Sequence, residues 1–266
     1  MKKLIISMVL TVAAAAPRLM AVETDVQTVD GYGPYQTGVG GEFTLQGLDP
    51  TMDAIINAYG AGAKNQYNVS GATPNFQTFC VEGREYIYAN TKVSVVFNNQ
   101  SVYTDVALTK GAAWLYSQFA QGTLYGYNYA NGTISGVHSG LNYGDGSRAG
   151  SASSSAQLLQ NAIWALMGGQ EGQTYDGSNP FEAAAASQFG GWANADSAAA
   201  TGLDGVYVLN LWAAGSPGVG TGYQDQLVYV AQGLTIPNVV PDGGTTVLLL
   251  GMALTGLGFV ARRVRR

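Results

Sequence analysis

The chain has 266 residues, enough for one large domain or two small ones at roughly 100–200 residues each. Charged residues make up only 11% against an ordinary share of ~25%, and a net charge of −5 with twelve basic side chains speaks against nucleic-acid binding. One cysteine and one histidine exclude a disulfide framework, a cysteine-rich zinc site and an iron–sulfur cluster, so no metal and no cofactor is expected.

Met1-Lys2-Lys3, an apolar run from Leu4 to Ala16 and the small residue Ala21 compose a secretory signal peptide over 1–21. At 13 residues the run is short for a membrane span. An uncleaved anchor or a buried helix is the alternative. The glycines from Gly31 to Gly41 precede no helical Lys-Ser/Thr pattern, so they do not form a phosphate loop. Short Val-, Tyr- and Phe-rich segments then predict strands at Gly41–Leu45, Phe76–Glu82, Tyr86–Tyr88 and Lys92–Phe97.

Helices follow. From Thr109 to Gln121 the apolar residues Ala112, Leu115, Tyr116 and Phe119 recur at helical spacing, and Gly122 ends the run. The stretch from Gly122 to Ser154 is rich in Gly, Ser, Asn and Tyr and reads as a long surface loop. Its tyrosines, Tyr125, Tyr127, Tyr129 and Tyr143, are suited to stacking on sugars or to packing a wet loop. A second helix opens after Ser154, with Gln157 completing a capping box, and stops at Gly168-Gly169. A third opens at Asn179-Pro180-Phe181-Glu182 and ends at Gly190. Strands at Val206–Leu211 and Gln226–Ala231 close the region. The expected class is α+β: a β-sandwich or barrel-like domain over 22–238 with inserted helices.

Residues 240–266 have a different character. Val240-Pro241-Asp242-Gly243-Gly244 is a polar breaker, Val247 to Val260 is apolar, and Arg262, Arg263, Arg265 and Arg266 form a basic stop that stays cytoplasmic. This layout resembles the PEP-CTERM class of sorting signals, in the variant named for Val-Pro-Asp-Ser-Gly, with Gly243 standing at the Ser position. The resemblance implies an exosortase-type processing enzyme as partner, a membrane tether through the C-terminal helix before processing, and delivery to the cell surface or extracellular matrix. An ordinary single-span anchor is the alternative. Without the two end segments, five basic residues (Lys64, Arg84, Lys92, Lys110 and Arg148) face sixteen acids, a net charge of −11. Such a surface repels nucleic acid and anionic lipid.

The one cysteine carries the functional question. A lone exposed thiol in an exported protein oxidises or cross-links, so Cys80 is either a buried small hydrophobe or chemically engaged. In the second helix Gln160 and Trp164 are i, i+4 neighbours beside the stripe Leu159–Ile163, an odd place for a carboxamide that packs only. Phe79-Cys80-Val81, followed by Leu159-Gln160-Asn161-Ala162-Ile163-Trp164, resembles the paired signature of thioester domains of bacterial surface adhesins. Ala113-Trp114-Leu115-Tyr116-Ser117-Gln118-Phe119 looks like the helix between the two elements in that family. The resemblance implies an internal thioester between the Cys80 sulfur and the Gln160 side-chain carbonyl. Phe79, Tyr116 and Trp164 would shield it, and an amine-bearing surface or matrix partner would be captured covalently, without enzymatic turnover. The alternatives are a non-reactive structural or polysaccharide-binding matrix protein of the same fold, and a hydrolase pairing Cys80 with His138. Asp145-Gly146-Ser147 and Asp176-Gly177-Ser178 read as turns, more remotely as calcium loops.

Overall fold

The computed structural model describes residues 24–36, 40–67, 71, 74–130, 147–234 and 236. The signal peptide, His138, Tyr143, Asp145 and the whole sorting segment, with its Val247–Val260 stretch and Arg cluster, lie outside these residues. Among the described residues no helix is long and apolar enough to cross a membrane.

Six antiparallel strands form one sheet: β1 (Thr24–Thr28), β2 (Phe43–Gly47), β3 (Asn75–Thr78), β4 (Lys92–Asn98), β5 (Val206–Ala213) and β6 (Gly222–Tyr229), in the order β3-β2-β1-β4-β5-β6. Register aligns Val26 with Val93, Leu45 with Phe76 and Val95 with Leu211, which stacks apolar side chains on a shared face. The sheet is nevertheless not an open sandwich layer. After β3 the chain crosses to the opposite edge, where Leu227 N donates to Phe79 O at 3.1 Å, Val81 N donates to Asp225 O at 3.0 Å, and Cys80 bridges Gln226. Phe79–Val81, continuing from β3, thereby pairs with part of β6 at the other end of the sheet. Cys80 sits on that seam.

Five α-helices accompany the sheet among the described residues: α1 (Pro50–Asn57), α2 (Lys110–Gln121), α3 (Ser155–Leu166), α4 (Pro180–Gln188) and α5 (Trp192–Ala195). Helix α1 packs on β1 and β2, where a side chain at Gly47 would meet Met52 and Ile56, and α2 joins β5 and β6 to α3, α4 and α5. The α2 and α4 termini follow their sequence signals. Thr109 Oγ1 accepts from Ala112 N at 3.3 Å, Gly122 is left-handed at φ 76°, and Asn179 Oδ1 accepts from Phe181 N at 3.0 Å.

Several expectations are corrected. The capping box at Ser154 does not form: Ser154 Oγ donates to Ser151 O, and the first α3 amides are satisfied by Ser147 O and Arg148 O instead. Tyr86–Tyr88 is not a strand, and the last strand lies at Gly222–Tyr229 rather than Gln226–Ala231. The described part of the loop after Gly122 is not all surface, because Tyr127 and Asn128 are buried.

Candidate functional site

Cys80 and Gln160 meet. The Cys80 thiol donates to Gln160 Oε1 at 3.2 Å, Cys80 N donates to the same oxygen at 3.2 Å, and Gln160 Nε2 donates to Cys80 O at 2.8 Å. Both residues are fully buried. The carboxamide that looked out of place on α3 is thus satisfied by the cysteine's own backbone, which fixes its carbonyl against the sulfur. Burial pushes the Cys80 thiol far above its ordinary value. Its backbone N–H and the nearby Trp164 indole oppose this, and the charges of Glu82 and Glu171 add to it.

Gln160 and Trp164 both lie against Gly40, at φ +86°, where a Cβ would lie 2.6 Å from Gln160 Cγ and 2.7 Å from Trp164 Cη2. Phe79 and Tyr116 pack in an aromatic cluster with Phe119, at ring distances of 5.0–6.5 Å. The Tyr116 hydroxyl is occupied by Gln77 O at 3.0 Å and Tyr59 at 3.1 Å.

Two buried polar constellations flank the pair, and neither was legible in the sequence. In the first, Arg148 and Glu42 form a bidentate ion pair with no solvent exposure, at 2.8 and 2.7 Å. Arg148 also donates to Gly62 O at 2.7 Å and Tyr129 O at 2.6 Å and lies 3.7 Å from the Tyr35 ring centroid. Tyr127 donates its hydroxyl to Glu42. Burial opposes the guanidinium charge, but the Glu42 carboxylate outweighs it and holds the proton more tightly than usual. Because Arg148 O caps α3 and Glu42 lies two residues from Gly40, this pair ties the cover to the helix that carries Gln160.

In the second, Glu82 and Asp225 share a buried site two residues beyond Cys80. Asp225 accepts from Val102 N, Asn210 Nδ2 and Leu211 N, a donor set that fits an anion. Glu82 Oε2 has no partner. Burial, aided by the Glu85 charge and opposed by Asp225 N–H, raises Glu82 from 4.5 to about 7, and burial raises Asp225 as well. Glu82 therefore holds its proton more tightly in the native state than unfolded. The stability it contributes is complete below pH 4.5 and is lost as pH rises through about 7. Glu182, raised by burial to about 7 against the Asp176 N–H, acts in the same direction. The melting temperature should fall between pH 5 and pH 8.5, and Glu82→Gln should flatten part of that fall; a curve unchanged by Glu82→Gln would show that Glu82 is charged at both ends. Asp176 itself forms a turn with Ser178 N and Oγ, and no metal-binding cluster of His, Cys, Asp or Glu occurs among the described residues.

Comparison with known proteins adds one finding. Residues 239–264 match the VPDSG-CTERM motif, so the C-terminus is an exosortase-type sorting signal, which implies processing by such an enzyme and export to the cell surface or beyond. No curated protein and no solved structure matches the chain.

Proposed function

We propose that Cys80 and Gln160 condense to an internal thioester, and that the exported protein uses it to attach covalently to an amine-bearing surface or matrix partner. The observation that carries this reading is the 3.2 Å approach of the Cys80 thiol to the Gln160 side-chain carbonyl inside a fully buried pocket. In formation, sulfur adds to Gln160 Cδ, the C–N bond breaks, and the amide nitrogen leaves as ammonia with the thiol proton. In capture, an amine adds to the same carbon, the C–S bond breaks, and the sulfur takes a proton from the amine. One amide forms and one thiol is regenerated, so each molecule reacts once. Cys80 N–H already points at the carbonyl oxygen, where negative charge develops in both steps. Exclusion of water by Gly40 and Trp164 supports a long-lived thioester.

The intact mass of the exported protein should fall short of its sequence mass by one ammonia, and Cys80→Ala or Gln160→Ala should each abolish the deficit. Full sequence mass together with one thiol titratable on unfolding would leave a non-reactive matrix protein. Exposed Tyr86 and Tyr88 would then be the natural surface for polysaccharide.

A further inference from the structure

A cleft of about 310 Å³ opens beside the Cys80–Gln160 pair, lined among others by Gly40, Trp164, Glu85, Tyr86, Glu171 and Gln224. Gly40 lies against both Gln160 and Trp164, so the cleft and the buried carbonyl share a wall. Its polar character is one-sided. Glu85 is half-buried and Glu171 exposed, and neither forms an ion pair; the described ion pairs are Lys92–Asp25 and Arg148–Glu42. Arg84 lines the neighbouring depression with Glu171. Glu171 has a left-handed backbone at φ 51°, and its Oε1 lies where a side chain on Gly83 would stand, 2.1 Å from that Cβ position. Its charge reaches the Cys80 thiol.

One buried polar atom at this wall is unpartnered. Trp164 Nε1, on a residue 2% exposed that lines the cleft, makes no hydrogen bond, and its indole lies close enough to the Cys80 thiol to act on it. An unpaired buried donor of this kind is costly, and a ligand of matching chemistry recovers that cost.

We infer that this cleft is the docking site of the incoming nucleophile and that Glu85 and Glu171 select a cationic amine on a flexible alkyl chain over neutral nucleophiles. The inference rests on the thioester reading. The carboxylates concentrate the ammonium at the wall, and one of them takes a proton from R–NH₃⁺ to give R–NH₂. The free amine attacks Gln160 Cδ, the C–S bond breaks, and the second proton passes from nitrogen to sulfur. The carboxylic acid then releases its proton to solvent. Trp164 N–H faces a reaction centre that gains negative charge on oxygen and sulfur.

The test compares two probes on the intact exported protein: cadaverine, which is cationic, and hydroxylamine, which is uncharged near neutral pH. Both are followed by thiol release and adduct mass. Glu85→Gln with Glu171→Gln should slow cadaverine about tenfold while leaving hydroxylamine within about twofold, and Glu171→Lys alone should slow cadaverine further. Added salt should slow cadaverine in the wild type only. An unchanged ratio of the two rates overturns the cleft assignment while thiol release by hydroxylamine still upholds the thioester. No thiol release by hydroxylamine from the wild type overturns both.

Discussion

Arg148→Ala should be the most destabilising single substitution away from Cys80 and Gln160, by about 3–5 kcal/mol. The guanidinium is removed from a site with no exposure, which leaves the Glu42 carboxylate buried without a counter-charge. Gly62 O and Tyr129 O lose their donor as well, and the Tyr35 and Tyr127 rings lose the cation between them. The cost comes mainly from stranding those groups, not from the attraction lost. Arg148→Met combined with Glu42→Gln should therefore cost clearly less than Arg148→Ala alone. Urea unfolding midpoints at constant slope measure the difference. A loss under 1 kcal/mol for Arg148→Ala would show that water enters and solvates Glu42. The pair also sets the position of Gly40 relative to α3, so the same variant should show a smaller ammonia deficit at equal age.

What could be read in the sequence was local. Thr109, Gly122, Asn179 and Pro180 act within one turn of where they stand, and the structure uses all four as their types suggest. Cys80 and Gln160 each stood out in the sequence, the cysteine as unique and the carboxamide beside an apolar helical stripe, but only the resemblance of their two motifs to thioester domains paired them. Failures came where a distant partner overrode the local signal. Ser154 looked like a cap, but backbone carbonyls of Ser147 and Arg148 reach α3 first. Strand β1 alternates Val26 with Asp25 and Gln27, which reads as polar until β2 and β4 pair on both sides of it. Asp49-Pro50 is a good helix start, with Asp49 Oδ1 accepting from Thr51 N and Met52 N, yet only eight residues follow. Arg148 finds Glu42 across 106 positions and Cys80 finds Gln160 across 80, separations at which charge or polarity alone names no partner. Gly40 is hardest of all, because its role is the absence of a side chain against two groups that arrive from α3.

If Cys80 and Gln160 form the proposed thioester, Gly40→Ala should disturb it more than the loss of a single hydrogen atom suggests. The added Cβ would stand 2.6 Å from Gln160 Cγ, 2.7 Å from Trp164 Cη2 and 3.3 Å from Gln160 Cδ, so the cover, the ring or the carboxamide must move. Overpacking of this kind costs about 1–3 kcal/mol, and a left-handed backbone adds about 1–2 kcal/mol for any residue with a Cβ. The cheapest relaxation lifts the Gly40 segment outward, because Gln160 is held by three hydrogen bonds to Cys80. That movement admits water to the carbonyl. The variant should fold with a lower melting temperature, carry little ammonia deficit and react faster with amines in whatever fraction still holds the bond. Gly31→Ala is the matched control, since Gly31 also has positive φ, at +60°, but a Cβ there meets nothing within 4 Å. It should lose some stability and keep the full deficit. Equal loss of the deficit in both variants would mean that backbone strain, not contact with Gln160, governs the site. Retention in both would mean that Gly40 is no part of the shield, leaving Trp164 to exclude water alone.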